Sequence, residues 1–192
     1  MISPILFSII LFFCANPAQK TPLGSDPEFL TVTIDGVTWT AEDVHVPIPG
    51  SKCLDSTCQQ VLYSWKEAKQ LDEQLTGWRL PTWKDWRKLE RHFGSGLMEE
   101  YTSVSVGKEV KMGLNITSFP GVTNSDGQRY KVGEENVYWV KPATEVVQAD
   151  GTVHVFLRQF YGPKSEKKDQ IWPFITDAES GLKCSVRLIK EE

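Results

Sequence analysis

Two periods of apolar and polar positions divide this chain. Over residues 30–39 (LTVTIDGVTW) apolar and polar side chains alternate around Asp35-Gly36, the pattern of two strands joined by a tight hairpin turn. Over 64–75 (SWKEAKQLDEQL) and 83–93 (WKDWRKLERHF) the pattern changes to two short helices. Between them lies Gly77-Trp78-Arg79-Leu80-Pro81-Thr82-Trp83-Lys84-Asp85-Trp86, with three tryptophans and one proline. Pro81 prevents the first helix from running on, and Thr82 or Asp85 can cap the second. Trp78 and Trp86 are large apolar bodies with a polar N–H, which predicts burial with one fixed partner each. The chain therefore makes an aromatic-pinned turn between two helices. The simplest reading makes its tryptophans core, and a sharper one puts Trp83, Arg79 or Lys84 on a ligand surface.

The stretch 45–58 reads as loop, broken by Pro47 and Pro49. From Gly94 onward the pattern is one of short strands and turns, punctuated by glycines such as Gly107, Gly113, Gly121 and Gly133. Residues 137–140 and 152–157 are strand candidates, the second entered through Asp150-Gly151, and 184–189 (CSVRLI) forms a last strand with one buried face. A strand pair, two helices and then many irregular strands predict an α+β fold. No internal repeat is visible.

With 192 residues the chain fits one domain of common size. Its net charge of −4 and pI near 5.5 argue against a nucleic-acid partner. The charge run at 164–169 (KSEKKD) reads as a solvated loop tip. Residues 2–13 form an apolar run too short to span a bilayer and of the length of a signal-peptide core. Cys14 follows Leu11-Phe12-Phe13 in the manner of a bacterial lipobox, with Phe13 where a small residue is usual. Lipidation at Cys14 and simple cleavage near Ala18 both stay open, and either predicts export. The expected organisation is an export signal at 1–18, a Pro- and Gly-rich tether at 19–29, and one domain at 30–192.

Cys53 and Cys58 are close enough in sequence to close a small disulfide ring. A zinc site would need further ligands, and His45 is the only histidine nearby. Cys184 is either free and buried or paired with one of those two.

Six motifs, in order, resemble a known family. They are 35–43 (DGVTWTAED), 62–68 (LYSWKEA), 77–82 with 85–89 (GWRLPT, DWRKL), 114–121 (LNITSFPG), Tyr138-Trp139 and Ser185-Val186-Arg187. Together they resemble the Fibrobacter succinogenes major paralogous domain, across residues 32–190. The resemblance implies framework roles for Trp39, Trp78, Arg79, Pro81, Trp86, Trp139 and Arg187. It also implies a C-type-lectin-like fold related to formylglycine-generating enzymes, with two helices flanking small, twisted, mostly antiparallel sheets and long irregular loops. Members are largely exported or surface lipoproteins of bacteria, mostly without an assigned activity. The chain departs from the pattern at Asp43, where Asn is usual, and at Val140-Lys141. It lacks the family's cysteines in the first helix and after the last Arg, with Cys184 before Ser185 instead, so the resemblance does not carry over the helix-to-terminal-strand disulfide.

The related oxidases use a reactive cysteine pair, and here only Cys184 lies in the corresponding part of the chain. Gly-x-Ser-x-Gly, His-Glu-x-x-His and P-loop patterns are absent, and His45, His92 and His154 are dispersed. His92 reads as a solvated residue, and His154 as facing solvent or a neighbouring strand. Glu99-Glu100 and Glu134-Glu135 read as exposed loop charges rather than acid/base pairs. The calcium-lectin motifs are missing as well. Asn124, Asp126, Glu134, Glu135 and Asn136 can offer oxygen ligands to a structural calcium, but without a defined spacing.

The expectation is therefore a non-catalytic, exported bacterial binding or adhesion module at the outer membrane or cell surface, or secreted, without cofactor or metal. Its partner would be a protein or glycan, with membrane contact through a lipid on Cys14. The ligand surface would lie on loops 140–150 and 159–172, with Tyr161 and Trp172 as aromatic anchors. A competing reading has Trp172 and Phe174 simply covering the sheet. The alternatives are a divergent formylglycine-generating-like oxidase and a structural envelope protein without soluble ligand.

Overall fold

The structure, a computed structural model, describes residues 27–95, 105–144 and 146–191. The expected export signal at 1–18 with Cys14, most of the expected tether, and Glu99-Glu100 lie outside the described residues. The chain opens with β1 (Thr31–Ile34) and β2 (Val37–Thr40), paired antiparallel in the expected hairpin. Both turn residues have positive φ, 49° at Asp35 and 76° at Gly36, which suits the right-handed twist of the flanking strands. A short ribbon follows, β3 (Lys52–Cys53) with β4 (Val61–Leu62), its first strand inside the stretch 45–58 that reads as loop in the sequence.

Next comes α1 (Trp65–Gln74), capped by a reciprocal box in which Ser64 and Glu67 satisfy each other's backbone N–H. Glu67 is itself held by Lys183, whose Nζ lies 2.8 and 2.9 Å from its two carboxylate oxygens. The turn between the helices contains β5 (Trp78–Arg79) and leads into α2 (Trp83–His92), capped by the same kind of box from Thr82 and Asp85. Arg79 reaches over Leu80-Pro81 and grips both Asp85 oxygens, at 2.8 and 3.2 Å. Asp72 of α1 accepts from Leu80 N at 2.6 Å and from Lys141 Nζ at 2.6 Å, so one carboxylate joins helix, turn and sheet.

A third helix, α3 (Gly107–Gly113), corrects the expectation of strands and turns alone after Gly94. It has no side-chain cap and begins and ends on glycine, so it carries none of the usual boundary signals. Gly107 is required there, because a Cβ would meet the Asp169 backbone at 2.9 Å. The remaining elements are β6 (Val122–Thr123), β7 (Arg129–Tyr130), β8 (Glu135–Val140), β9 (Val146–Val147), β10 (Val153–Tyr161), β11 (Ile171–Asp177) and β12 (Ile189–Lys190).

The strands form a four-stranded sheet β1-β2-β12-β5, a sheet β11-β10-β8 with β9 beside β10, and the two-stranded ribbons β3-β4 and β6-β7. Every paired strand runs antiparallel to its neighbour. The expected last strand is shorter than its pattern suggests. Only Ile189 and Lys190 pair as a strand, while Cys184 and Ser185 make single bridges to Tyr63 and Tyr138. Val186 and Leu188 carbonyls accept from Val44 N and Thr40 N, so this segment threads between elements instead of lying on a sheet face.

The sheet β11-β10-β8 separates two apolar cores. Val137 and Trp139 of β8, with Val155 and Leu157 of β10, enter one core beside Tyr63, Trp65, Leu71 and Cys184. Tyr138, Val140 and Phe160 enter the other beside Trp39, Trp86 and Leu89. Alternation thus delivers apolar side chains to both faces, which is why Val137-Tyr138-Trp139-Val140 of β8 reads as an unbroken hydrophobic run. Trp86 is the hub of the second core, with the rings of Trp39, Tyr138 and Phe160 at 4.9, 5.7 and 5.6 Å. Its Nε1 finds no acceptor among the described residues, contrary to the expectation of a fixed partner. Trp78 is only half-buried, edge-on to Phe29 at 5.1 Å.

Candidate functional site

A cleft of about 830 Å³ lies between α1 and one end of the long sheet. One wall is helical and carries Lys66, Lys69, Gln70 and Glu73. The facing wall comes from Asp150-Gly151-Thr152, where the chain enters β10, and from Asp177 to Gly181, where it leaves β11. Trp65 contributes to the lining, 5% exposed and backed by Trp139 at 5.6 Å.

The walls are held by local bonds. Asp150 accepts from Thr152 N at 2.9 Å and Asp177 from Glu179 N at 2.8 Å, each an Asx-type turn that fixes its loop. The Thr152 bonds, backbone first, hold the Asp150 carboxyl below its ordinary range. Lys66 and Lys69 thus line one wall together with Glu73, and Asp150, Asp177 and Glu179 line the other. Such a surface suits an extended polar ligand, with the Trp65 ring as an apolar contact.

A second polar assembly lies inside the molecule. Asp43 accepts from Arg187 Nε at 2.8 Å, Tyr138 OH at 2.8 Å and Asn136 Nδ2 at 3.0 Å. Arg187 Nη1 also donates to the carbonyls of Thr40 and Leu114, at 2.8 and 3.0 Å. These bonds tie β2, β8, the end of α3 and the C-terminal segment together. Burial, reinforced by Asp43, pushes the Tyr138 hydroxyl well above its ordinary value, so it stays protonated and donates. The adjoining recess, about 150 Å³ between Glu42, His45, Gln60 and Ser185, is small. Apart from Asn136 Oδ1, which finds no donor among the described residues, its buried groups bond to one another, which makes this assembly a brace.

The aromatic anchors expected on loop 159–172 lie largely within strands. Tyr161 ends β10 at 7% exposure, and Trp172 sits half-buried in β11, so the loop proper is 162–170. Their rings meet edge-on at 6.3 Å, with Lys167 Nζ above them, 4.0 Å from the Trp172 centroid and 5.6 Å from that of Tyr161. They do not form an open aromatic platform. Phe174, by contrast, is 47% exposed. The other expected loop, 140–150, supplies Asp150 to the cleft and includes the short strand β9.

Among the framework residues, Trp39, Trp86, Trp139 and Arg187 are 0–1% exposed, Pro81 is buried, and Trp78 and Arg79 are intermediate. Trp83 packs half-buried against Phe156 at 6.3 Å and under the guanidinium of Arg158 at 4.6 Å, and Lys84 is exposed. Cys53 and Cys58 form the expected disulfide. Cys184 is free and fully buried, and burial raises its thiol well above the ordinary value, which leaves it protonated and inert.

The oxygen donors considered for calcium scatter. Asn124 accepts from Asp126 N and Gln128 N within its own turn, Glu134 pairs with Lys131, and Asn136 belongs to the Asp43 brace. No group of three or more His, Cys, Asp or Glu is arranged to hold a metal among the described residues. None of the described helices is long and apolar enough to cross a membrane.

The chain matches no protein-family model, no curated protein and no solved structure.

Sequence reasoning missed the helical wall of the cleft. Lys66, Gln70 and Glu73 belong to one face of α1 through their 3- and 4-residue spacing, a signal that was available. Their facing wall lies about 80 to 115 positions further on, and no local pattern announces that pairing.

Proposed function

We propose that this protein is an exported bacterial surface module that binds an extended polar ligand, a glycan or a peptide segment, without catalysing a reaction. The observation that carries the reading is the 830 Å³ cleft, whose oppositely charged walls stand on a braced two-core frame. Binding loops positioned by a rigid scaffold are the common arrangement for recognition. Export draws support from the apolar run at 2–13 and from the Cys53–Cys58 disulfide, a bond that persists in oxidising compartments. Within this proposal the domain is of the C-type-lectin-like class and is akin to the Fibrobacter succinogenes major paralogous domain, on the strength of the six ordered motifs. Cys14 carries the lipid that tethers it, and residues 19–29 form the spacer.

The formylglycine-generating-like alternative is disfavoured by its cysteines. Cys53 and Cys58 hold each other, and Cys184 is sealed in the first core. Screening the purified full chain on bacterial-polysaccharide, host-glycan and peptide arrays tests the proposal. Ligands should emerge whose binding falls at least tenfold in Lys66→Glu and in Asp177→Lys, both on the cleft walls. Silence on all three arrays, or binding indifferent to both substitutions, would overturn the reading and favour a structural envelope component.

A further inference from the structure

The far end of the same sheet, roughly 20–25 Å from the cleft along β10 at 3.3 Å per residue, carries an arrangement that the cleft does not explain. Trp172 and Tyr161 make a right-angled corner, with ring planes at 86°. Lys167 Nζ sits in that corner, within the distance at which a ring quadrupole attracts a cation. Lys167 is exposed and has Glu166 and Asp169 close by in the chain, yet it makes no ion pair among the described residues and lies on the rings.

The corner is built rather than incidental. The Trp172 indole N–H donates to Gln170 Oε1 at 2.7 Å, which fixes the rotation of its ring. The loop above it is closed by Ser165 N to Gly162 O at 3.0 Å, Lys168 N to Ser165 O at 3.2 Å and Gln170 N to Lys167 O at 2.8 Å. From outside, Lys111 of α3 donates to the carbonyls of Tyr161 and Lys168, and Gly107 N donates to Asp169 O at 3.0 Å. Gly162 lets the loop leave β10 under Phe119, where a Cβ would lie 2.9 Å from the ring.

We propose that Trp172 and Tyr161 form a binding site for a small organic ammonium ion, occupied in this state by the chain's own Lys167. Two aromatic faces recognise alkylated ammonium groups better than primary ones, because methylation spreads the charge over apolar surface and lowers the cost of leaving water. Lys167 is tethered six residues from Tyr161 and so competes at high effective concentration. An external cation therefore binds the unmodified chain weakly, and removing the lysine side chain unmasks the site. This inference is independent of the cleft reading.

The test is titration of the full chain with choline, followed by tryptophan fluorescence and calorimetry at constant ionic strength, alongside Lys167→Ala and Lys167→Ala/Trp172→Leu. The single variant should bind choline at least tenfold more tightly than the unmodified chain, and the double variant should lose that gain. If the double variant does not fold, choline-dependent movement of the Trp172 indole N–H resonance in Lys167→Ala replaces it as the readout. A parallel arm with phosphatidylcholine vesicles distinguishes a lipid headgroup from the free ion. Binding to vesicles as well as to choline assigns the headgroup, and binding to choline alone assigns the soluble ion. Equal affinity with and without Lys167, or a gain that survives Trp172→Leu, overturns the proposal.

Discussion

The buried charges around Asp43 and around Glu90 solve the same problem differently. Around Asp43 one carboxylate meets one guanidinium, and the remaining acceptor capacity is taken by Tyr138 and Asn136. Asp43 is also 22% exposed, so its charge keeps some water. Around Glu90 one fully buried carboxylate serves two arginines. Arg87 Nη1 donates to Oε2 at 3.0 Å and Arg158 Nε to Oε1 at 2.6 Å, with Arg158 Nη2 also 2.5 Å from Oε1. Arg158 Nη1 has no acceptor among the described residues, and the Trp83 ring covers its guanidinium.

The electrostatics follow the geometry. Burial lowers the proton affinity of Arg158 more than Glu90 restores it, whereas at Arg187 the same burial is outweighed by Tyr138 and Asp43. A partly wet pair with several donors and acceptors tolerates burial, while the dry Arg158 depends on the carboxylate of Glu90.

The sharpest way to break this contrast is Glu90→Gln, which leaves Arg158 buried without its counter-charge and takes one carboxylate contact from Arg87. It should cost about 3–5 kcal/mol of unfolding free energy in urea denaturation, the range for a buried pair broken from one side. Asp43→Ala should cost less, about 2–3 kcal/mol, because it orphans Arg187 Nε, Tyr138 OH and Asn136 Nδ2 but opens on a recess that can admit water. Equal losses at the two positions would mean that solvent access does not separate the clusters.

The same contrast marks how far the sequence could be read. Arg187 stands out because it belongs to an ordered motif, and Asp35-Gly36, Thr82 and Asp85 are legible because turns and caps are decided within four residues. Glu90 and Arg158 are 68 positions apart, and nothing local to either announces a partner. α3 escaped for the opposite reason, since glycine at both ends of a seven-residue helix reads as two turns. Tyr161 and Trp172 were visible as aromatics near a charged loop, but their strand pairing and the lysine lying on them are tertiary facts. The cleft is likewise a product of long-range assembly.

Away from both clusters, the Cys53–Cys58 ring should contribute about 2 kcal/mol by the loop-closure relation for so short a loop. Reduction should therefore lower the melting temperature modestly while leaving the transition cooperative, because Cys53 and Cys58 only border the first core and contribute none of its buried residues. Loss of cooperativity on reduction would show that the β3-β4 ribbon carries more of the fold than its size suggests.

The smallest effect expected is at Asp85, and it separates a local cap from the buried pairs by its response to acid. Burial alone would raise its carboxyl, but the bonds from Arg79 and Thr82 outweigh burial and hold it below the ordinary value of 3.8. A depressed folded-state value means that the stabilisation is fully present above the ordinary carboxylate range and is lost as pH falls through the folded value. Asp85→Asn should cost about 1 kcal/mol at neutral pH, the usual size of a lost cap interaction. Measured by thermal unfolding, the gap between Asp85→Asn and the unmodified chain should narrow as pH falls from 5 towards 2. A gap that stays constant across that range would mean that Asp85 acts through its shape and hydrogen bonds, with its charge contributing nothing to the Arg79 clamp.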